Sequence, residues 1–178
     1  MASDEDLTAA FGRESATYLR DVYMPRLREA VGTLSQQDLW WRPHGDTTSA
    51  GNLLLHLEGN IRQWILSGLA GEPDHRERDG EFAAREGSTG EDLLTALSAT
   101  VDQVAAVLER VDSATLLGPF EIQGFGTTGL GAIYHIVEHF SWHTGQITWI
   151  AKLRAGEAHG VSYYDDDSLN AARNPGTD

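Results

Sequence analysis

The sequence predicts an all-α protein, a four-helix bundle followed by an irregular C-terminal tail. Four long segments repeat apolar residues every three or four positions, which is the pattern of a helix with one buried face. Loops rich in glycine, proline and charged residues separate them, and the sequence indicates no convincing sheet. Amphipathic helices joined by loops bury their apolar stripes against one another. We therefore predict one bundle domain over residues 1–155, and a tail over residues 156–178 that either docks on the bundle or frays.

The first predicted helix covers about residues 4–31, with Ser3 as its N-cap. A proline inside a helix removes one hydrogen bond and clashes with the preceding turn, so we expect a kink or a break at Pro25. The second predicted helix ends near residue 69. It begins after one of three adjacent N-cap candidates, which are Thr47, Thr48 and Ser49.

The remaining two helices are predicted over about residues 90–111 and 130–154. Residues 72–88 are charged and aperiodic, so we predict a surface loop there. Residues 112–128 hold three glycines and a proline, and residues 120–125 are expected to be extended or to form a small hairpin. The predicted core stripe of the fourth helix consists of Leu130, Ile133, Val137, Phe140, Ile147 and Ala151.

The fourth helix carries three histidines at intervals of four residues, His135, His139 and His143. Residues four apart lie above one another on one helix face, so two of these imidazoles can hold a divalent metal if a third ligand comes from elsewhere. His56, in the second helix, is the candidate for that third ligand. A site with three protein ligands keeps open coordination positions, which is typical of a catalytic metal. In the alternative interpretation, the histidines only line a helix edge or a pocket for an apolar small molecule.

Composition restricts the partners and the chemistry of the chain. The 27 acidic and 13 basic residues give a net charge of −14 at pH 7, so we expect neither nucleic acid nor a membrane surface as a partner. The chain has no cysteine, which excludes disulfides, thiolate ligands and a cysteine nucleophile. The N-terminus is acidic, and no apolar run approaches the length of a membrane span. We therefore expect no signal peptide and no membrane span, and we predict a cytoplasmic protein.

Two sequence blocks, one before and in the second helix and one in the fourth, form a pattern together. The first is WRP at residues 41–43, followed by SAGNLLLH at residues 49–56. The second is HIVEHFSWHTGQI at residues 135–147. Their order, spacing and helical placement resemble those of the DinB/YfiT-like family, part of the DinB superfamily of metal-binding bundle proteins, up to about residue 155.

This resemblance implies a four-helix bundle, often a homodimer, with a three-histidine site for a divalent metal, commonly zinc or nickel. The positions that match the family pattern would make His56, His139 and His143 the ligands, with His135 outside the ligand set. Characterised relatives include thiol-dependent transferases and a mycothiol-dependent isomerase, in which the metal holds the thiolate of the cofactor. Many other relatives have no known activity, so the resemblance alone does not fix a reaction.

Our leading hypothesis is a metal-dependent enzyme that activates a low-molecular-weight thiol or a water molecule. The reaction would be transfer, addition or hydrolysis at a small electrophile, as in a thiol S-transferase or a hydrolase. Gln146 is a candidate for orienting a ligand ring or the substrate, and Asn52 and Asn60 are candidate pocket-lining residues. The alternative is a non-catalytic, metal-binding or stress-associated protein in which the metal is structural or sensory. The sequence identifies no general acid or base.

Overall fold

The computed structural model describes residues 4–162 and is mostly helical, which confirms the predicted all-α bundle. Four long helical runs form the bundle, and apolar side chains from all four make one core. The domain boundary at residue 155 stays a prediction, and residues 163–178 of the predicted tail lie outside the described residues. In chain order the helices and strands are α1 (Asp4–Thr17), α2 (Met24–Gly32), α3 (Gln36–Leu39), α4 (Ala50–Ile61), α5 (Arg78–Ala83), α6 (Gly90–Leu108), α7 (Ser113–Leu117), β1 (Pro119–Ile122), β2 (Phe125–Thr128) and α8 (Gly129–Ala155).

The first helical run continues through Pro25 rather than breaking there. A π-helical turn, Tyr18–Tyr23, joins α1 to α2, and Pro25 lies in the first turn of α2. Proline is tolerated in a first turn because its missing amide hydrogen would have no partner within the helix there. The wider π turn marks the place where the regular hydrogen-bond ladder is interrupted. In place of the predicted kink or break at Pro25, the structure therefore has a change from α-helical to π-helical winding just before that residue.

Ser49 is the N-cap of the second run, chosen from the three candidates in the sequence. Its Oγ accepts a hydrogen bond from the amide of Asn52 at 3.2 Å, and the Asn52 Oδ1 accepts one from the amide of Ser49 at 3.1 Å. This reciprocal pair is a capping box, which fixes where a helix begins. Because α4 begins at a fixed residue, the direction in which His56 projects two turns later is fixed as well.

The segment predicted to be a surface loop, residues 72–88, contains the short helix α5. Glu81 is the buried residue of this helix. Because this residue is charged, the segment has no apolar periodicity from which a helix could be predicted. Residues 112–128 hold α7 and a two-stranded hairpin, the one sheet of the described residues. The hairpin turn consists of Gln123 and Gly124, both with positive φ, at 56° and 77°. Positive φ at both turn residues matches the right-handed twist of the flanking strands.

The buried face of α8 differs from the predicted core stripe. Leu130 is 43% exposed, whereas Ile136, which the prediction omitted, is fully buried. The reason is that α8 packs against α2 on one side and α4 on another, so its buried face is wider than one stripe. The same packing brings α8 alongside α4, which carries His56. No helix within residues 4–162 combines the length and the apolar character that crossing a membrane requires.

Candidate metal centre

Three histidines from α4 and α8 converge on one point. The Nε2 atom of His139 lies 3.2 Å from the Nε2 of His56 and 3.1 Å from the Nε2 of His143. The candidate ligand atoms of all three residues lie within 4.8 Å of one another. Zinc–imidazole bonds of about 2.0 Å at tetrahedral angles place neighbouring nitrogens about 3.3 Å apart, so these spacings fit a metal between the rings. These are the three residues that the family resemblance implied, and the structure brings them together.

Two of the three rings are held by oxygen acceptors on their outer nitrogen. The Nδ1 of His56 lies 2.8 Å from Oε2 of Glu81, and the Nδ1 of His143 lies 2.6 Å from Oε1 of Gln146. An Nδ1–H that donates to such an oxygen leaves Nε2 without a proton, which is the form that binds a metal. The outer contacts therefore favour the tautomers in which both Nε2 lone pairs point into the cluster.

Glu81 is itself held by a buried guanidinium. Arg76 donates hydrogen bonds from Nε to Oε1 of Glu81 at 2.6 Å and from Nη2 to Oε2 at 2.9 Å, and both side chains are more than 90% buried. Burial acts to raise the pKa of Glu81, but the hydrogen bonds from Arg76 and His56 outweigh it and lower that pKa. The carboxylate therefore stays ionised beside His56. Arg76 Nη2 also lies 3.0 Å from Nδ1 of His56, but two donors cannot share a hydrogen bond, so this is a contact only.

Sequence reasoning did not find this carboxylate, because Glu81 lies 25 positions from His56 in a segment predicted to be a loop. The contacts of Asn52, which was a candidate pocket-lining residue in the sequence, explain how this segment is held in place. Its Nδ2 donates to the carbonyl oxygens of Glu81 at 2.7 Å and Ala84 at 2.9 Å. Asn52 is fully buried at this joint and fastens the end of α5 to the start of α4. The structure thus gives Asn52 a positioning contact with the backbone that carries the Glu81 side chain.

Gly59 allows the close approach of Glu81 to α4. A Cβ atom at Gly59 would overlap Oε1 of Glu81 and lie 3.0 Å from Nε of Arg76. We expect Gly59→Ala to push the carboxylate away from His56 and to lower the free energy of unfolding by about 1–3 kcal/mol, as overpacking does. Chemical denaturation checks this prediction. Gly145→Ala in α8, where a Cβ meets nothing within 4 Å, is the control and should be neutral or stabilising. Equal effects of the two substitutions would contradict the close-approach argument.

His135 lies outside the cluster, one turn before His139. Its ring stacks on Trp64 with centroids 3.9 Å apart, and its Nε2 lies 3.4 Å from Nδ2 of Asn60. Asn60 is 3% exposed, so the structure places it against His135 inside the bundle. Nearby, Nδ1 of His139 and Oδ1 of Asn60 are both buried and have no hydrogen-bond partner. The third ring of the cluster therefore lacks the outer contact that holds His56 and His143.

The environment keeps the three histidines of α8 uncharged at neutral pH. Burial, followed by the nearby His143 and His56, lowers the pKa of His139 to about 3. Burial also lowers the pKa of His143, against the opposing hydrogen bond with Gln146, and it lowers the pKa of His135. A neutral imidazole is the form that ligates a metal, so these rings are in their binding form without having to lose a proton.

This electrostatic environment predicts how metal affinity depends on pH. Protons compete for a ligand only near or below its pKa, and the pKa values of His139 and His143 lie below the ordinary value of 6.5. We therefore expect zinc affinity to change little between pH 8 and pH 7 and to fall only as the solution becomes more acidic. Competition with a chelator of known pH dependence measures this. A loss of tenfold or more between pH 8 and pH 7 would contradict it, because the ligands would then be protonated near neutrality.

A cavity of about 590 Å³ adjoins the cluster on the side of His143. It lies between the loop that precedes α4 and the outer part of α8. Trp41, Trp142 and Trp149 are among its lining residues, and so is Gln146, which contacts the His143 ring. Asp46, Thr47 and Thr48 add polar groups to its rim. Apolar walls with a few polar groups are typical of a small-molecule site.

Comparison with known proteins places the chain in a family but does not supply a function. A search of curated proteins finds no match to this chain. Residues 13–162 match a family described as "Protein of unknown function (DUF1572)". The match includes all three histidines of the cluster. It also includes α5 and α8, the helices whose side chains contact the outer ring nitrogens. Since it covers most of the 178 residues, the chain belongs to the DUF1572 family.

Proposed function

We propose that this protein is a DinB-like metal-dependent enzyme in which His56, His139 and His143 bind zinc or nickel. The enzyme activates a low-molecular-weight thiol or a water molecule for transfer, addition or hydrolysis at a small electrophile. The observation that carries the proposal is the convergence of three histidine rings, with the Nε2 of His139 lying 3.2 Å from that of His56 and 3.1 Å from that of His143. The outer contacts of two rings support it, because they favour the ligating tautomer.

The donor set fits a catalytic metal better than a structural one. Among residues 4–162, no cysteine, aspartate, glutamate or fourth histidine joins the three-residue group. The nearby carboxylate of Glu81 is engaged on the outer side of His56 by Arg76. Structural zinc sites are normally closed by four protein ligands, so three ligands favour the enzyme over the non-catalytic alternative. A divalent cation held by neutral imidazoles would keep its full charge and lower the pKa of a thiol or water that binds beside it.

The chain's own residues would position the reactants. The chain has no cysteine, so any sulfur nucleophile must come from a soluble thiol. The tryptophan-lined cavity beside His143 would hold the electrophile through its apolar part and keep bulk water from the reacting atoms. Gln146 forms part of the cavity wall and also contacts Nδ1 of His143, so it would couple substrate position to the orientation of that ring.

We also propose that the protein is cytoplasmic, as its sequence predicts, and a homodimer, as the family resemblance implies. The outer face of α8 supports the dimer, because it exposes large apolar side chains that a second subunit would cover. Tyr134 is 66% exposed and Leu153 50%, and neither lines the cavity proposed for the electrophile. Light scattering of the purified protein measures the oligomeric state directly, and a monomer at micromolar concentration would contradict this part of the proposal.

Cobalt substitution tests whether the site has an open position for a thiol. Cobalt-loaded protein is titrated with a neutral thiol while the visible spectrum of the metal is recorded. We expect a new sulfur-to-cobalt absorption band that saturates at one thiol per cobalt. A spectrum that does not respond to thiol, to azide or to pH would mean that the protein closes the site, and the structural alternative would replace the enzyme. His139→Ala is the control, since it should remove the cobalt signal itself.

A further inference from the structure

A second cavity, of about 580 Å³, concentrates positive charge beside α5. Arg42, Arg78 and Arg85 line it, together with Asp46 and Asp79, so guanidinium groups outnumber carboxylates there by three to two. In the whole chain the 27 acidic residues outnumber the 13 basic ones about two to one. The charge balance of this cavity, the arginine pocket, is therefore opposite to that of the molecule. A local reversal of charge at a concave surface favours an anionic ligand.

The three guanidinium groups are bound to neutral partners. Arg42 donates from Nη2 to the side chain of Asn52 at 2.5 Å and to the carbonyl of Phe82 at 2.9 Å. Its Nε is buried and has no hydrogen-bond partner. Arg85 donates from Nη1 to carbonyl oxygens of residues 82–84. Within residues 4–162 none of the three arginines forms an ion pair. Backbone and amide oxygens therefore orient Arg42 and Arg85 without neutralising them, and Arg78 lies over the Phe82 ring.

The arginine pocket lies next to the histidine cluster. The Phe82 ring contacts the His56 ring, with centroids 4.8 Å apart, and the guanidinium carbon of Arg78 lies 4.9 Å from the centre of the same Phe82 ring. Two consecutive ring contacts therefore join Arg78 to a candidate metal ligand. Asp46, Thr47 and Thr48 line both the arginine pocket and the tryptophan-lined cavity, so the two cavities share a rim.

We propose that the arginine pocket binds the carboxylate or phosphate group of a molecule whose reactive end lies at the histidine cluster. A guanidinium presents paired N–H donors that match the oxygens of both groups, and Arg42 has an unused buried Nε–H. Burial, and after it the neighbouring Arg85, lower the pKa of Arg42, and a bound anion would oppose both effects. The assignment of this pocket as a subsite rests on the proposed function, whereas anion binding in it does not.

Matched thiols test the subsite in the cobalt-loaded protein. Mercaptohexanoate and mercaptohexanol have the same chain and differ in the terminal charge. We expect the carboxylate to bind about fivefold to tenfold more tightly than the alcohol, as two partly exposed charge contacts allow. In the double variant Arg78→Gln/Arg85→Gln this preference should disappear, while the affinity for the alcohol stays the same and shows that the fold is intact. Equal affinity of the two thiols in the wild type, or a preference that survives in the double variant, would overturn the proposal.

Arg110→Gln is the control variant, because Arg110 is also exposed and its Nε also donates to a carbonyl, that of Ala106 at 2.7 Å. It removes one positive charge outside the arginine pocket and should leave the preference for the carboxylate unchanged. If Arg110→Gln abolished the preference, the effect would be one of net charge and the pocket would not be the subsite.

Inorganic phosphate separates this inference from the proposed function. Metal-free protein labelled with nitrogen-15 is titrated with phosphate while the Nε–H resonances of the arginines are followed by NMR. We expect saturable shifts at Arg42, Arg78 and Arg85, and a weakened or lost shift of the remaining Arg42 resonance in the double variant. No shift, or an even shift of all arginines, would overturn anion binding whatever the metal result. Saturable shifts in a protein that binds no metal would support the anion site and contradict the proposed function alone.

Discussion

Replacing His139 with alanine is expected to lower the zinc affinity of the protein by about three orders of magnitude. Its Nε2 is the atom shared by both short contacts of the cluster, 3.2 Å from His56 and 3.1 Å from His143. Zinc binds to zinc-finger peptides with about 10–16 kcal/mol through four ligands, so one ligand contributes up to about 4 kcal/mol, or roughly a thousandfold. Competition with a fluorescent zinc chelator at pH 7.5 measures the affinity of each variant.

His135→Ala is the matched control for this substitution. The two histidines lie four residues apart on α8, but His135 stacks on Trp64 and contacts Asn60 instead of joining the cluster. We expect the His135→Ala variant to lose some stability through the lost contact with Trp64 and to keep its zinc affinity within about threefold of the wild type. Equal losses of zinc affinity in the two variants would show that His135 is a ligand or that the rings act only as polar lining.

Replacing Glu81 with alanine is expected to have the largest effect on stability. It leaves the Arg76 guanidinium, whose side chain is 4% exposed, without its carboxylate partner. Breaking a buried ion pair on one side costs about 3–5 kcal/mol in the free energy of unfolding. Loss of the acceptor on Nδ1 of His56 should also weaken zinc binding by about tenfold to a hundredfold. Urea denaturation and chelator competition measure the two effects on the same variant.

Two further variants distinguish an effect of Glu81 on the orientation of His56 from an effect on the stability of the fold alone. In Arg76→Leu/Glu81→Leu both charges are gone, so stability should recover much of the loss while zinc affinity stays low. Glu109→Ala removes the carboxylate of an exposed pair with Arg20, and we expect it to cost no more than about 0.5 kcal/mol. If zinc affinity returned with stability in the double variant, Glu81 would serve the fold and not the orientation of the ligand.

The fold and the histidine cluster could be predicted because both depend on regular helical spacing. Residues at intervals of four share a helix face, so His139 and His143 had to be adjacent once α8 was recognised. The three N-cap candidates of the sequence placed the start of α4 within three residues, and the structure selects Ser49 from them. These are local rules that hold in any context.

The outer contacts could not be predicted because they depend on how separate segments meet. Glu81 reaches His56 only because α5 folds back on α4, and this requires contacts of Asn52 with distant carbonyls and the absence of a side chain at Gly59. None of these residues carries a periodic signal. The exposed position of Leu130 was missed for a related reason, since helical periodicity does not say which neighbours a helix has. Tertiary packing decided each of these cases.

X-ray absorption at the zinc edge of the loaded protein, recorded with and without a small thiol, tests the central claim most directly. We expect about one zinc per chain with three imidazole nitrogens at about 2.0 Å and one light, exchangeable ligand. Added thiol should replace the light ligand with one sulfur at about 2.3 Å, while the three imidazoles remain. A protein that binds no zinc, or a zinc with four protein ligands and no sulfur after addition of thiol, would contradict an open three-histidine metal centre.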